Sequence, residues 1–377
     1  MKPVASYFKW NQTGAFSVDW YIGKRCNFAC SYCVDYLHDY TSPHVPIENM
    51  KKLVDLLTEK HGDNILWSLT GGEPTIHPKF LDLCAYIKEK GTRYTSVTTN
   101  GSRTLEYHKQ LFDVVDGITL SFHFEFMENR IDEYITKCIE LEKYRLQLNE
   151  QLKSGQPKKT LILRFMVETG QLDNVNRMDI AFREAGITNI EHRYIRPPGN
   201  SDKNMQTEEK FDFNDKNDPN QITDKKKVER IEKIEENFYK KDELEEIKYI
   251  YKSTADPDKR KLKFWFQDEQ GNYIDEDFHY NELNFDKKNN YEGWLCWAGV
   301  KHLKIIPNGD IYIGSCHVGG KRGNIFDKDS IDLPTEPIRC NRWRCTDNTD
   351  LKVPKISSWD HYDLVKDIIE WKPSSKS

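Results

Sequence analysis

From residue 16 to residue 197 the chain alternates between two kinds of hydrophobic pattern. Short β-rich runs stand at "FSVDWYI" (16–22), "ILWSLT" (65–70), "YTSVTT" (94–99), "GITLSFHF" (117–124), "TLILRFMV" (160–167) and "IEHRYI" (190–195), and they predict six strands. Between them lie "IENMKKLVDLLTEKHG", "PKFLDLCAYIKEKG", "TLEYHKQLFDVVD", "RIDEYITKCIELEKYRLQLNEQLK" and "NVNRMDIAFREAG". Their apolar positions recur three and four apart, and several end in glycine, which predicts helices. A βα alternation of this length requires right-handed crossovers and a parallel sheet with helices outside. The expected fold class is α/β, an incomplete (β/α)6 TIM-like barrel, with its chemistry in the loops after the strands.

After "RYIRPPGN" the pattern changes. Residues 201–261 are dominated by Lys, Asp, Glu and Asn, with a helix expected over 225–252 whose Ile231, Ile234 and Phe238 form a narrow docking stripe. "KLKFWFQDEQGNYIDEDFHY" predicts a hairpin around Gln270 and Gly271. This charged stretch suits either a solvated insertion or a lid over the substrate. From Trp294 to Thr349 the chain is short-stranded and cysteine-bearing, and "ISSWDHYDLVKDIIEWK" (356–372) predicts a closing amphipathic helix. The expected domains are a partial barrel (1–200), a charged insertion or linker (201–292), a small cysteine-rich α+β module (293–350) and a C-terminal helix and tail (351–377).

Composition narrows the class. At 377 residues and 37% hydrophobic, the chain is long enough for one large core and a smaller module. A charged fraction of 31%, a mean hydropathy of -0.79 and the lack of an apolar run near 20 residues argue against a membrane span. The opening "MKPVASYFKWNQTG" carries no apolar signal region, so the expected compartment is the cytoplasm. A net charge of -5 argues against a chain-wide basic footprint for nucleic acid. Nine cysteines, odd in number and clustered, suit metal ligation in a reducing compartment better than a disulfide framework.

Three of them stand in "KRCNFACSYCVDY": Cys26, Cys30 and Cys33, in Cys-x3-Cys-x2-Cys spacing after the first predicted strand. Thiolates select zinc, copper(I) or iron-sulfur clusters. Structural zinc takes four protein ligands, and only three converge here unless His38 is a fourth. The motif resembles the signature of the radical S-adenosylmethionine (radical SAM) superfamily, with Tyr32 as the aromatic residue before the third cysteine. The resemblance implies a 4Fe-4S cluster whose open iron chelates SAM, and reductive cleavage of SAM to a 5'-deoxyadenosyl radical that takes hydrogen from a substrate. "LTGGEPT" (69–75) is similar to the family's GGEP element, so Gly71, Gly72, Glu73 and Pro74 are expected at the methionine end of SAM. Polar residues at strand ends in this superfamily approach the SAM carboxylate and ribose. On that basis Asn100, Ser121, His123, Arg164 and Arg196 are expected cofactor contacts, with ordinary packing the alternative for His123.

A second set, Cys296, Cys316, Cys340 and Cys345, lies in the C-terminal fifth. The turn signal Asn308-Gly309 lies between the first two. Four thiolates complete either a 4Fe-4S cluster or a zinc site. The layout resembles the SPASM extension and its shortened Twitch form; no cysteine follows Cys345, which points to a single auxiliary cluster. Cys84 and Cys138 read as small buried hydrophobes, and "HVGGKRGNI" (317–325) as a turn or an anion cradle. With no peptide-recognition domain ahead of the barrel, the expected activity is oxidation or rearrangement of a small polar substrate (sugar, aminocyclitol or nucleotide-like), fed by a flavodoxin or ferredoxin. The alternatives are a peptide or protein maturase of the same superfamily and a non-enzymatic zinc-binding scaffold.

Overall fold

The computed structural model describes residues 1–8, 15–33, 38–195, 240, 242–243, 245–246, 261–279, 283, 288–342, 345 and 348–370. In chain order, β1 is Lys2–Phe8, β2 Phe16–Tyr21, α1 Ile47–His61, β3 Ile65–Thr70, α2 Phe80–Glu89, β4 Tyr94–Thr99, α3 Leu105–Val114 and β5 Gly117–Phe122. Then come the short α4 Phe124–Met127, α5 Ile131–Glu150, β6 Thr160–Val167, α6 Leu172–Glu184 and β7 Ile190–Tyr194. The remaining strands are β8 Lys261–Gln267, β9 Tyr273–His279, β10 Leu295–Cys296, β11 His302–Ile305, β12 Asp310–Tyr312, β13 Lys321–Asn324, β14 Ile338–Arg339 and β15 Lys355–Ile356.

All six predicted strands pair in sequence, β2 to β7, in parallel. The sheet does not end at β2. Strand β11 adds in parallel to its outer edge, with Lys304 opposite Asp19, and β12 and β13 follow antiparallel. Among the described residues this nine-stranded sheet is open, with edges at β13 and β7. Its α/β architecture is the expected one.

Period-2 alternation assigns the two faces. Phe16, Val18 and Trp20 on β2 are buried, in one core with Met50, Leu53, Val54 and Leu57 of α1, whereas Ser17, Asp19 and Tyr21 face the other way and stay partly open. The parallel register carries this alternation across β3, β4 and β6. The helix-facing side is apolar, with Phe122, Phe165 and Phe182 packed ring to ring at centroid separations of 5.3–6.1 Å.

A second sheet is wholly antiparallel, in the order β14-β10-β15-β1-β8-β9. The 261–279 hairpin is part of it, with the Asp268 carboxylate accepting from the backbone N–H of Gln270 and Asn272 at the turn. Sequence reading assigned no element to residues 2–8. In β1 the residues from Val4 to Phe8 are buried without alternation, so the period that marks a half-exposed strand is missing. The helix expected over 356–372 is also different: Ile356 is a fully buried strand residue paired with Ala5 and Leu295, followed by a 3-10 turn (Trp359–Leu364) and a short helix (Lys366–Ile369). Sheet pairing takes the start of the segment, and Tyr362 and Trp359 pack on Trp297 instead. Most of the helix expected over 225–252 lies outside the described residues. Of it, Glu243 accepts hydrogen bonds from Gly170 N (2.8 Å) and Thr169 Oγ1 (3.0 Å), in the loop after β6. No described helix is long and apolar enough to cross a membrane.

Cys84 and Cys138 are fully buried in the core. So is His108 on α3, with Nδ1 against Thr104 O at 2.8 Å. Burial first, then the charges of Lys137 and Arg103, lowers its pKa from 6.5 to about 4. An unfolded His108 takes up a proton as pH falls below 6.5 and the folded one does not, so its contribution is complete above 6.5 and lost between 6.5 and 4. At about 1.4 kcal/mol per pH unit, the loss from pH 7 to pH 5 attributable to this residue is about 2 kcal/mol. In urea unfolding, His108→Leu should lose about that much less stability than the wild type over this interval; equal losses would contradict the assignment.

Candidate active site

The cysteine loop is built as a continuation of the β2–β3 pairing. Past the strand ends the backbone bonds go on: Ile22 N to Thr70 O (2.8 Å), Gly72 N to Gly23 O (2.9 Å) and Glu73 N to Arg25 O (2.9 Å). The loop then closes on itself through Cys26 N to Asp39 O (2.7 Å) and Asp39 N to Lys24 O (2.9 Å). A Cβ on Gly72 would lie 2.2 Å from Lys24 O and 2.5 Å from Arg25 O. Gly71 has φ +144° and sits against Gly23 O. Both glycines therefore let the cysteine loop itself approach, and Pro74 opens the 3-10 turn that follows.

Of the three thiols, Cys26 and Cys30 are buried and Cys33 is exposed. Phe28, Tyr32 and Phe126 pack around them, with Phe28 stacked on Phe126 at 4.8 Å. Burial pushes the Cys26 thiol up to about 11, and Phe28 N donates to its Sγ at 3.3 Å. Cys30 donates toward Cys33, which raises Cys30 and lowers Cys33. His123 sits beside them: its Nδ1 is 3.3 Å from Cys30 Sγ and 2.6 Å from Tyr32 Oη, and its ring stacks on Tyr32. Burial, with the nearby Arg164 charge, lowers its pKa to about 4, so the imidazole is neutral.

Polar clamps fix the loop to neighbouring strand ends. Glu73 is buried, and its Oε1 accepts from Thr75 N (2.9 Å), Thr75 Oγ1 (2.6 Å) and Thr99 Oγ1 (2.7 Å) while Oε2 accepts from Asn100 N (2.6 Å). Burial raises its pKa against the pull of these donors. Asn100 Nδ2 donates to Asn27 Oδ1 (3.0 Å), and Asn27 Nδ2 to Ser102 Oγ (3.0 Å). On the other side Glu125 of α4 accepts from Ser31 N (2.8 Å), and Glu168 accepts from Phe124 N (3.1 Å). Burial, then the charge of Glu125, pushes Glu168 up to about 7. Sequence reading missed Asn27, Glu125 and Glu168; only Asn27, a polar residue inside the cysteine motif, left a local signal.

Arg164 is paired on the sheet, its Nε 2.7 Å from Glu191 Oε2, and Ser121 lies buried opposite it in register. Arg196 lies outside the described residues. The structure thus brings Cys26, Cys30, Cys33, Tyr32, Gly71, Gly72, Glu73, Asn100 and His123 into one cluster.

The second cysteine set also comes together. Cys296, Cys316, Cys340 and Cys345 line one cavity, shared with Arg342, Asp350 and Lys355. Burial pushes all four thiols up. Backbone bonds hold them: Cys340 N to Trp294 O (2.7 Å), Cys345 N to Asn289 O (3.0 Å) and Cys316 N to Asp350 Oδ2 (2.6 Å). Among the described residues no three His, Cys, Asp or Glu side chains are gathered on a point that a single ion would occupy. The nearby glycine-rich turn is filled by protein: a Cβ on Gly319 would lie 2.3 Å from Ile313 Cδ1.

Residues 20–137 match the model of the radical SAM superfamily. They are a radical SAM domain. The family uses a 4Fe-4S cluster and S-adenosylmethionine. Among curated proteins, the chain is 26% identical over 189 residues to a probable GTP 3',8-cyclase of Sulfurisphaera tokodaii, covering 50% of this chain and 58% of that one. It is 32% identical over 92 residues to an S-adenosylmethionine-dependent nucleotide dehydratase of Selenomonas ruminantium, covering 24% and 32%. The chain thus spans less than two thirds of the length of either relative. Among solved structures, Streptococcus suis SuiB bound to precursor peptide SuiA matches at 15% identity with a TM-score of 0.49, covering 86% of this chain and 66% of that one.

The contact beneath Gly72 makes a testable demand on this domain. Gly72→Ala should cost about 1–3 kcal/mol through overpacking and reduce the iron bound on anaerobic reconstitution. Gly23→Ala, whose Cβ meets nothing within 4 Å, should do neither. Unfolding curves and iron analysis of the pair check this, and equal behaviour would show that the glycine contact does not hold the loop.

Proposed function

We propose that this chain is a radical SAM enzyme that takes hydrogen from a small polar substrate held on the open face of its parallel sheet. Cys26, Cys30 and Cys33 are the three protein ligands of its 4Fe-4S cluster. The donor set suits that group: three soft thiols on one pinned loop, with no fourth side chain supplied by the motif. When bound, the cluster and SAM supply a 5'-deoxyadenosyl radical that abstracts hydrogen. The protein's share is to hold and screen: the Phe28, Tyr32 and Phe126 shell shields Cys26 and Cys30, and the neutral His123 borders Cys30 without adding charge.

One observation carries the substrate class. The face turned away from the helices presents Asp19, Ser68, Ser96, Thr98, Ser121 and Arg164 on consecutive parallel strands, with Lys304 added by β11. Hydroxyls and charges of both signs, brought together on one sheet face, suit a hydroxyl-rich or nucleotide-like molecule with polar groups of its own rather than an apolar one. The nucleotides named for the two curated relatives agree with this class. On the same reading the four-cysteine cavity holds a second, fully cysteine-ligated 4Fe-4S cluster, and an external flavodoxin or ferredoxin supplies electrons.

Anaerobic reconstitution followed by reductant and SAM tests the proposal. Brown protein forming 5'-deoxyadenosine is expected, with formation stimulated by members of a panel of nucleotides and sugars. Cys30→Ala should abolish the product, and Cys345→Ala should lower it without abolishing it. A colourless zinc protein, or stimulation by peptides alone, would contradict it.

A further inference from the structure

The four-cysteine cavity contains a lysine. Lys355, on β15, is 1% exposed, and its Nζ donates to two neutral carbonyls, Asp350 O at 2.5 Å and Val353 O at 2.8 Å, while lying 5.0 Å from the centre of the Tyr291 ring. Among the described residues it forms no ion pair with a carboxylate. The nearest acidic group on the cavity wall, Asp350, has both oxygens engaged by the backbone N–H groups of Ser315 and Cys316. Arg342 adds a second buried cation to the same wall.

A buried ammonium needs a compensating negative charge nearby; its cavity offers Asp350, whose carboxylate already accepts from two backbone N–H groups and faces Arg342 as well, and four cysteines. A cubane with four thiolate ligands carries about two net negative charges, and one more when reduced. A fixed cation against it favours the reduced form, because the attraction grows with the charge gained.

We propose that Lys355 is the counter-charge of this cavity and raises the reduction potential of the cluster held there. It is a positioning and tuning residue, not a ligand, and its role rests on the four-cysteine cavity holding iron and sulfur.

The test uses the full chain with Cys26→Ala, Cys30→Ala and Cys33→Ala, so that only the second site loads. If this background takes up no iron, the cluster assignment falls and Lys355's role with it. If it loads, redox titration followed by EPR compares it with Lys355→Met and Lys355→Arg. Lys355→Met should bind the same iron but show a reduced-to-oxidised ratio at fixed potential lower by about tenfold, about 59 mV for one electron, and Lys355→Arg should restore most of it. An unchanged midpoint in Lys355→Met would overturn the proposal. Should Lys355→Met fail to load, iron uptake by Lys355→Arg but not by Lys355→Gln would uphold the need for a cation, and equal failure or equal uptake in both would refute it.

Discussion

A backbone approach no side chain would permit sets the geometry of the first site. With Gly72 beneath the carbonyls of Lys24 and Arg25, the hydrogen-bonded register of β2 and β3 runs on into the cysteine loop, and the loop inherits the rigidity of the sheet. The thiols are thereby placed at the carboxyl end of the first barrel strand, next to the ends of β4 and β5. Glu73 and Asn100 complete the frame: the carboxylate gathers donors from its own turn and from the end of β4, and the amide reaches across to Asn27 inside the motif.

The second sheet makes the two cysteine groups parts of one molecule rather than beads on a chain. Strand β1, from the first residues, pairs with β15 and β8, while β11 extends the barrel sheet itself. The cysteine-bearing C-terminal segment is therefore anchored in both sheets. Through β11 it also contributes Lys304 to the face proposed to hold substrate, with the lysine lying 5.0 Å from the ring of Tyr21. One short strand joins the cysteine-bearing segment to the parallel sheet.

Much of this was legible in the residues. The six parallel strands follow from their pattern, and the Cys-x3-Cys-x2-Cys and GGEP elements name the chemistry before any coordinates. What was not legible depends on long-range pairing. Strand β1 is buried without alternation and has no period to read; β11 is short, and nothing local says that it joins β2. The closing segment has a helical stripe, yet Ile356 finds a better partner in a sheet. Arg164 was expected to face a ligand carboxylate, and its guanidinium meets Glu191 on the adjacent strand. Glu73 shows the same limit: its position was evident, but two of its four donors, Thr99 Oγ1 and Asn100 N, reach it only when β3 and β4 lie side by side. Lys355 sits ten residues past the last cysteine, and no local motif marks it.

Central to the proposed function is a division of labour between a three-thiol site open to SAM and a four-thiol site that is closed. Iron-57 Mössbauer spectroscopy of the reconstituted full chain, with and without SAM, tests it most directly. About eight irons per chain are expected, with SAM altering the signature of about one of them. SAM altering none, or altering iron that survives replacement of Cys26, Cys30 and Cys33 by alanine, would contradict it.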